Sequence, residues 1–297
     1  MTDGGWTTGG TTFGARLQAA MRQRGPLCVG IDPHPALLTA WGLPDTPAGL
    51  ERFALSAVDA VSPHVAAVKP QSAFFERHGS AGIAVLERTL AAVRATGTPV
   101  VLDVKRGDIG STATAYAQAY LDPSSSLAAD AVTVSPFLGF GSLQPFLDAA
   151  RSHDGGLFVL ALTSNPEGQQ VQGAIRDGRT VAGTVLAAVA AHNAAESAGL
   201  NAAHNPGLNA VPGSVGCVVG ATLGSTTEDL DVGGPLLVPG LGAQGGTPQG
   251  LRTLFAGVLD RVLAATSRDV LAAGPDRGAL RAAALATSEQ LDAALQS

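Results

Sequence analysis

Residues 99–108 read PVVLDVKRGD, an apolar run that stops at four charges, Asp103, Lys105, Arg106 and Asp108. A strand with one wet face alternates apolar and polar residues, whereas a strand covered on both faces is apolar almost throughout. The run Pro99–Asp103 is of the second kind, and seven others match it: Leu27–Asp32, Val65–Lys69, Ala131–Ser135, Leu157–Thr163, Val215–Ala221, Pro235–Pro239 and Arg261–Thr266. A loop of Gly, Pro or polar residues follows each, and then a longer Ala/Leu-rich segment with helical spacing. Strand–helix alternation repeated eight times predicts an α/β fold, a parallel eight-stranded (β/α)8 TIM barrel. Among the helices, Ile83–Ala95 is amphipathic, and Thr247-Pro248 sets a capping hydroxyl before a first-turn proline. The stretch Ala198–Ser214, rich in Ala, Asn, Pro and Gly, reads as a surface loop before the sixth strand and not as a domain boundary. A single domain over residues 1–297 is expected, with residues 1–12, rich in Gly and Thr, as a flexible N-terminus.

The bulk numbers fit one enzyme-sized unit: 297 residues at 45% apolar content can bury a large core. Eighteen Lys+Arg against 24 Asp+Glu, a net charge of -6 without a basic block, offer no footprint for nucleic acid. An anionic ligand must therefore be held locally. No apolar run reaches the ~18 residues of a spanning helix, and the N-terminus lacks a basic region leading into an apolar stretch, so neither membrane nor export is expected, and a cytoplasmic location is. Cys28 and Cys217 sit inside apolar runs and read as buried core thiols in a reducing compartment. The six His residues show no pair at metal-binding spacing, and no metal site is expected.

In a TIM barrel the active site lies where strands end and loops begin. Here the first strand ends in Asp32, the second in Lys69, and the third in Asp103-Val104-Lys105, with Asp108 just beyond. Any one of these charges could be a solvated strand end. Four at neighbouring strand mouths point instead to a built ion network, because barrel interiors exclude unpaired charge. Asp103 and Lys105, two apart on an extended chain, share a face and can address one ligand. At the other side of the barrel, residues 239–246 (PGLGAQGG) form a glycine loop whose backbone N–H groups can approach an anion without interference from Cβ atoms. Loops after strands seven and eight commonly hold phosphate, and Arg268 follows strand eight with a planar fork suited to phosphate oxygens. A glycine loop can also be no more than a turn.

The segments VGIDPHP, AVKPQSAFFERHG, VVLDVKRGDIGST, SPFLG, LTSNPEG, VPGLGAQGG and TSRDV run from strand one to strand eight. In these the chain resembles the orotidine 5′-monophosphate decarboxylase family, specifically its longer bacterial group, often called type 2. The first dozen residues, the Ala198–Ser214 loop and the C-terminal helix fall outside the resemblance. It implies that Asp32 contacts the ribose and that Lys69, Asp103, Lys105 and Asp108 form an alternating catalytic network. It further implies that Asp108, with Ile109 and Thr112, reaches the site from the other subunit of a homodimer with shared active sites. Pro239 opens the phosphate loop, Gln244 and Arg268 bind the phosphate, and Ser164 contacts the pyrimidine amide. One departure is Ser267, where many shorter relatives have Gly before the arginine; its backbone N–H can still donate.

The reaction so implied is decarboxylation of orotidine 5′-phosphate to UMP, without a cofactor. It leaves a carbanion at C6 orthogonal to the ring π system, so stabilisation has to come from a preorganised cation. Lys105 fits that role and would also protonate C6, with Asp103 and Asp108 favouring its ammonium form. Asp103 would face the substrate carboxylate, a like-charge contact relieved as CO2 leaves. Two other readings compete. Hexulose-phosphate synthases and ketogulonate-phosphate decarboxylases share the D-x-K-x-x-D pattern and bind Mg2+, but their second strand ends in an acidic ligand where this chain has Lys69, which opposes metal binding. A noncatalytic phosphometabolite sensor would keep Gln244 and Arg268 without needing all four charges.

Overall fold

Strands that are apolar on both faces have to be enclosed on both, and the chain achieves this by rolling them into a barrel. The computed structural model describes residues 11–204 and 212–296. Its barrel strands are β1 (Leu27–Ile31), β2 (Ala67–Pro70), β3 (Val101–Arg106), β4 (Ala131–Val134), β5 (Gly156–Leu162), β6 (Val215–Val219), β7 (Leu236–Pro239) and β8 (Val262–Thr266). Each of the eight predicted runs overlaps one of them; five contain the strand whole, while β2 runs on to Pro70, β3 runs on to Arg106 and β5 starts at Gly156. The barrel's ladders are all parallel, running β2-β1-β8-β7-β6-β5-β4-β3, and the bridges Val68–Val100 and Gln71–Asp103 join β2 to β3 and close the ring. This is a (β/α)8 barrel, as expected. Among the described residues no helix is long and apolar enough to cross a membrane.

Two apolar layers result. The outer one lies between the strands and the surrounding helices, with Phe53, Phe75, Phe146 and Phe255 fully buried in it. The inner one fills the barrel, where Cys28, Ala67, Val101, Ala131, Phe158, Val218, Leu237 and Leu263 point inward. Its floor is a helix that the strand pattern did not reveal, α1 (Phe13–Arg24), started by Thr12, whose hydroxyl accepts from Ala15 N at 3.3 Å. Phe13, Leu17 and Ala20 of α1 join the inner layer, and the Phe13 ring meets that of Phe158 edge-on at 6.1 Å. A Cβ on Gly156 would stand 2.1 Å from the Phe13 ring, so only glycine at the start of β5 admits the plug. Arg16 holds the helix to the wall through Asp130 and the Asp154 carbonyl, each at 3.0 Å.

The expected surface loop Ala198–Ser214 needs correction at both ends. Its first residues continue the helix Val181–His204, and its last, Gly213 and Ser214, are buried beneath α1, where Ser214 Oγ accepts from Gly14 N. Residues 205–211 and most of the expected flexible N-terminus, residues 1–10, lie outside the described residues. Propensity gave way to packing here: the buried Asn193 side chain donates to the carbonyls of Val215 and Val232, tying the helix to β6. Cys28 and Cys217 are buried and unpaired, and burial pushes the Cys28 thiol up to about 12, which leaves it inert as expected for a core thiol. The capping expected at Thr247 is present, its hydroxyl accepting from Gly250 N over the helix Pro248–Leu254.

Candidate active site

At the C-terminal mouth of the barrel the strand ends enclose a cavity of about 250 Å3. Asp32, Lys69, Asp103, Lys105, Pro239, Gln244 and Arg268 all line it. The sequence also left some of its lining unread: His34, Gln71 and Thr133. His34 and Gln71 belong to the segments that carry the resemblance, and Thr133 is the one polar residue of the strand AVTV.

The ion network is real on this chain as far as Lys105. Asp103 is 7% exposed and accepts from Lys69 Nζ through Oδ2 at 3.0 Å and from Lys105 Nζ through Oδ1 at 2.5 Å. Thr133 Oγ1 donates a third bond to Oδ1 at 2.8 Å. Burial alone would raise the Asp103 pKa, but Lys69, Lys105 and these hydrogen bonds outweigh it and hold the carboxyl well below the usual range. For Lys69, burial works to lower the pKa, and the carboxylates of Asp103 and Asp32 reverse the outcome, so its ammonium form persists above the ordinary lysine range. Both groups are therefore charged at neutral pH despite their burial. Lys105 is the exposed end of the relay and has φ 46°, a left-handed backbone that a lysine adopts only under constraint.

Across the cavity, β1 and β8 come so close that a Cβ on Gly30 would meet Ser267 Cβ at 2.9 Å. Asp32 Oδ1 and Ser267 Oγ lie buried beside this approach with no hydrogen-bond partner among the described residues. The glycine loop folds back on itself, Gly242 N donating to the Gly246 carbonyl and Gly246 N to that of Gly240. Positive φ at Gly240, Gly242 and Gly245, 103°, 70° and 98°, makes the loop impossible for side-chain-bearing residues without strain. Asp269 braces it, accepting from Ala243 N at 3.0 Å and from the Thr266 hydroxyl at 2.9 Å.

Four expected residues are not in the cavity. Asp108 accepts from its neighbour Ile109 N, Ile109 is 62% exposed, and Thr112 is exposed on the helix that follows. Ser164 is exposed at the end of β5, against Gly220, whose Cβ would lie 3.2 Å from its hydroxyl. One chain thus gathers three of the four expected network charges and the glycine loop around one chamber.

A family model described as orotidine 5′-phosphate decarboxylase / HUMPS matches residues 25–283. The chain belongs to this family. It is 60% identical over 263 residues to an orotidine 5′-phosphate decarboxylase of Nocardioides, covering 87% of this chain and 91% of the relative. One of the same name from Streptomyces coelicolor is 56% identical over 274 residues, 92% of this chain and 94% of the relative. Among solved structures, a Streptomyces avermitilis protein provisionally given that name superposes with a TM-score of 0.90 at 54% identity, over 100% of this chain and 99% of that one. OMP decarboxylase of Leishmania donovani does so with a TM-score of 0.73 at 30% identity, over 97% and 100%. The family resemblance in the seven sequence segments is thereby established for the whole barrel.

Proposed function

We infer that this chain decarboxylates orotidine 5′-monophosphate to UMP and CO2, with Lys105 as the electrostatic and proton-donating group. The observation that carries this reading is the Lys69–Asp103–Lys105 relay, buried at Lys69 and Asp103, facing the same chamber as Arg268 and the glycine loop. One end can grip a phosphate and the other fixes a cation at a set distance from it. Arg268, Gln244 and loop amides take the phosphate, Asp32 with its unpartnered Oδ1 accepts from a ribose hydroxyl, and Ser164 turns to the pyrimidine amide. When the C6–carboxylate bond breaks, its electron pair stays on C6 and CO2 departs. Lys105 Nζ stabilises that pair and then gives it a proton, which solvent returns to the amine. Atoms and electrons balance within substrate, lysine and water.

Asp103 fixes Lys105 before the reaction begins, so little reorganisation is needed as charge develops. Phosphate binding far from C6 can be spent on closing the loop and seating the ring. A second copy of the chain supplies Asp108, Ile109 and Thr112 to complete the site. Exposed Ile109, Phe137 (76%) and Leu138 (52%) on the loops after β3 and β4 support such a contact. Unpaired buried thiols fit a reducing compartment, the cytoplasm.

The test is to add orotidylate to purified, EDTA-treated protein and follow the loss of its ultraviolet absorbance, beside Lys105→Ala. Turnover by the first and a fall of many orders of magnitude in the second, with UMP still bound, are expected. The sugar-phosphate branch of the family offers the contrary result: no turnover of orotidylate, but Mg2+-dependent turnover of a hexulose phosphate, would overturn the assignment.

A further inference from the structure

The ladder between β3 and β4 is interrupted where the chemistry sits. Leu102 pairs with Val132 and Arg106 with Val134, so a single β4 residue, Thr133, faces the three β3 residues Asp103, Val104 and Lys105. A bulge of this kind strips backbone N–H groups of their ladder partners and bends the strand. Here the N–H groups left over are those of Val104 and Lys105, and both donate to Thr133 Oγ1, at 3.0 and 2.9 Å. The hydroxyl's own proton goes to Asp103 Oδ1 at 2.8 Å. A hydroxyl has one donor and two acceptor sites, and all three are used. Thr133 is 1% exposed, so water has no access to replace any of them. The regular ladder resumes beyond it, with Ser135 N donating to the Arg106 carbonyl at 2.8 Å.

We propose that Thr133 is a positioning residue: its hydroxyl holds the β3 bulge in the form that turns Lys105 into the left-handed region and sets its ammonium group on Asp103. An ordinary strand would turn the backbone groups of Asp103 and Lys105 toward β2, as the Ser72 N bond to the Asp103 carbonyl still does, and those of Val104 toward β4, with an extended φ at the lysine. The bulge gives up those ladder bonds and adopts a costly backbone at Lys105, and both need a compensating contact at that spot. Among the contacts described around these three residues, the threonine hydroxyl is the one that touches the bulge backbone and the catalytic carboxylate together. Thr133 itself stays off the reacting atoms; it acts through Lys105 and Asp103, and so the inference rests on the catalytic reading of that pair.

The experiment compares Thr133→Val, isosteric but without donor or acceptor, with Thr133→Ser, which keeps the hydroxyl, and with Lys105→Ala. For each, kcat with orotidylate and Kd for UMP are measured. Thr133→Val should lose about 100-fold in kcat, the scale seen when one preorganised donor is removed, while UMP binding changes less than about 3-fold. Thr133→Ser should stay within about 3-fold of the parent in both, a rescue that mere filling of space would not give. Should Thr133→Val fail to fold, Thr133→Cys, near in size but a poor acceptor, replaces it with the same expected loss. The inference is overturned if the hydroxyl-free variant keeps parental kcat, if the serine variant falls as far as valine, or if UMP binding falls in step with kcat. An active Lys105→Ala would sink the catalytic reading and the inference with it; an inactive one beside a fully active Thr133→Val would sink the inference alone.

Discussion

Asp103 stands between two ammonium groups, and its removal should be felt in stability as well as in rate. Taking one partner from a buried ion pair leaves the other uncompensated, at a cost of about 3–5 kcal/mol. Asp103→Asn should therefore lower the urea midpoint markedly at pH 7. The folded-state pKa of Asp103 lies below its ordinary value of 3.8, so its contribution is present above that pH and fades as pH falls through and below it. Lys69, raised above 10.5, contributes below that pH and loses its contribution only as the solution becomes more alkaline. The gap between parent and Asp103→Asn in urea melts should hold from about pH 5 to 9 and shrink toward pH 3; a gap independent of pH would show that charge is not its origin. Arg268→Ala tests the opposite wall. Its kcat/KM for orotidylate should fall by at least ~100-fold, as expected for losing a bidentate phosphate contact, with turnover of the phosphate-free nucleoside nearly unchanged. Equal losses for both substrates would make Arg268 a structural residue.

At the scale of elements, the strands were legible and some of their surroundings were not, for physical reasons. Near-continuous apolar runs such as LCVGI and AVTVS have few alternatives to a doubly covered strand. Charges at or just beyond their ends, Asp32, Lys69, Asp103, Lys105 and Arg268, mark the mouth in the sequence itself, whereas the role of Gln244 follows only from the family resemblance. Thr133 was passed over because a threonine inside a strand is ordinary, and only the bulge gives its hydroxyl a purpose. The hairpin Ile175–Arg176/Arg179–Thr180 has two-residue strands, too short for periodicity, although its Asp177-Gly178 turn, both with positive φ, was a signal within reach. Helix α1 lay unread because its apolar residues fit a floor made by strands distant in sequence. That floor can be tested: Phe13→Ala removes a fully buried ring and should cost about 3–5 kcal/mol, read from denaturant midpoints, while kcat in the folded protein stays within about 2-fold. A collapse of kcat without loss of stability would mean that α1 reaches the mouth of the barrel.

At the scale of the whole molecule, the proposed sharing of the site between two chains has a direct test. If the partner supplies Asp108, mixing inactive Lys105→Ala with inactive Asp108→Ala and allowing subunits to exchange will create hybrids with one site carrying both lesions and one carrying neither. Random exchange into closed two-fold pairs should restore activity to about one quarter of all sites, with exchange verified by a mass tag on one variant. Verified hybrids that stay inactive would show that Asp108 serves its own chain. The plug of the barrel carries a different consequence, for the order in which the protein is made. Helix α1 leaves the ribosome before Phe158, Asp130 and Asp154 that seat it, and Ser214, which receives the Gly14 N–H, is 200 positions downstream. Its apolar face can therefore be fully seated only once the sixth strand has been synthesised and most of the barrel exists, which makes this long-range docking a late step for the nascent chain.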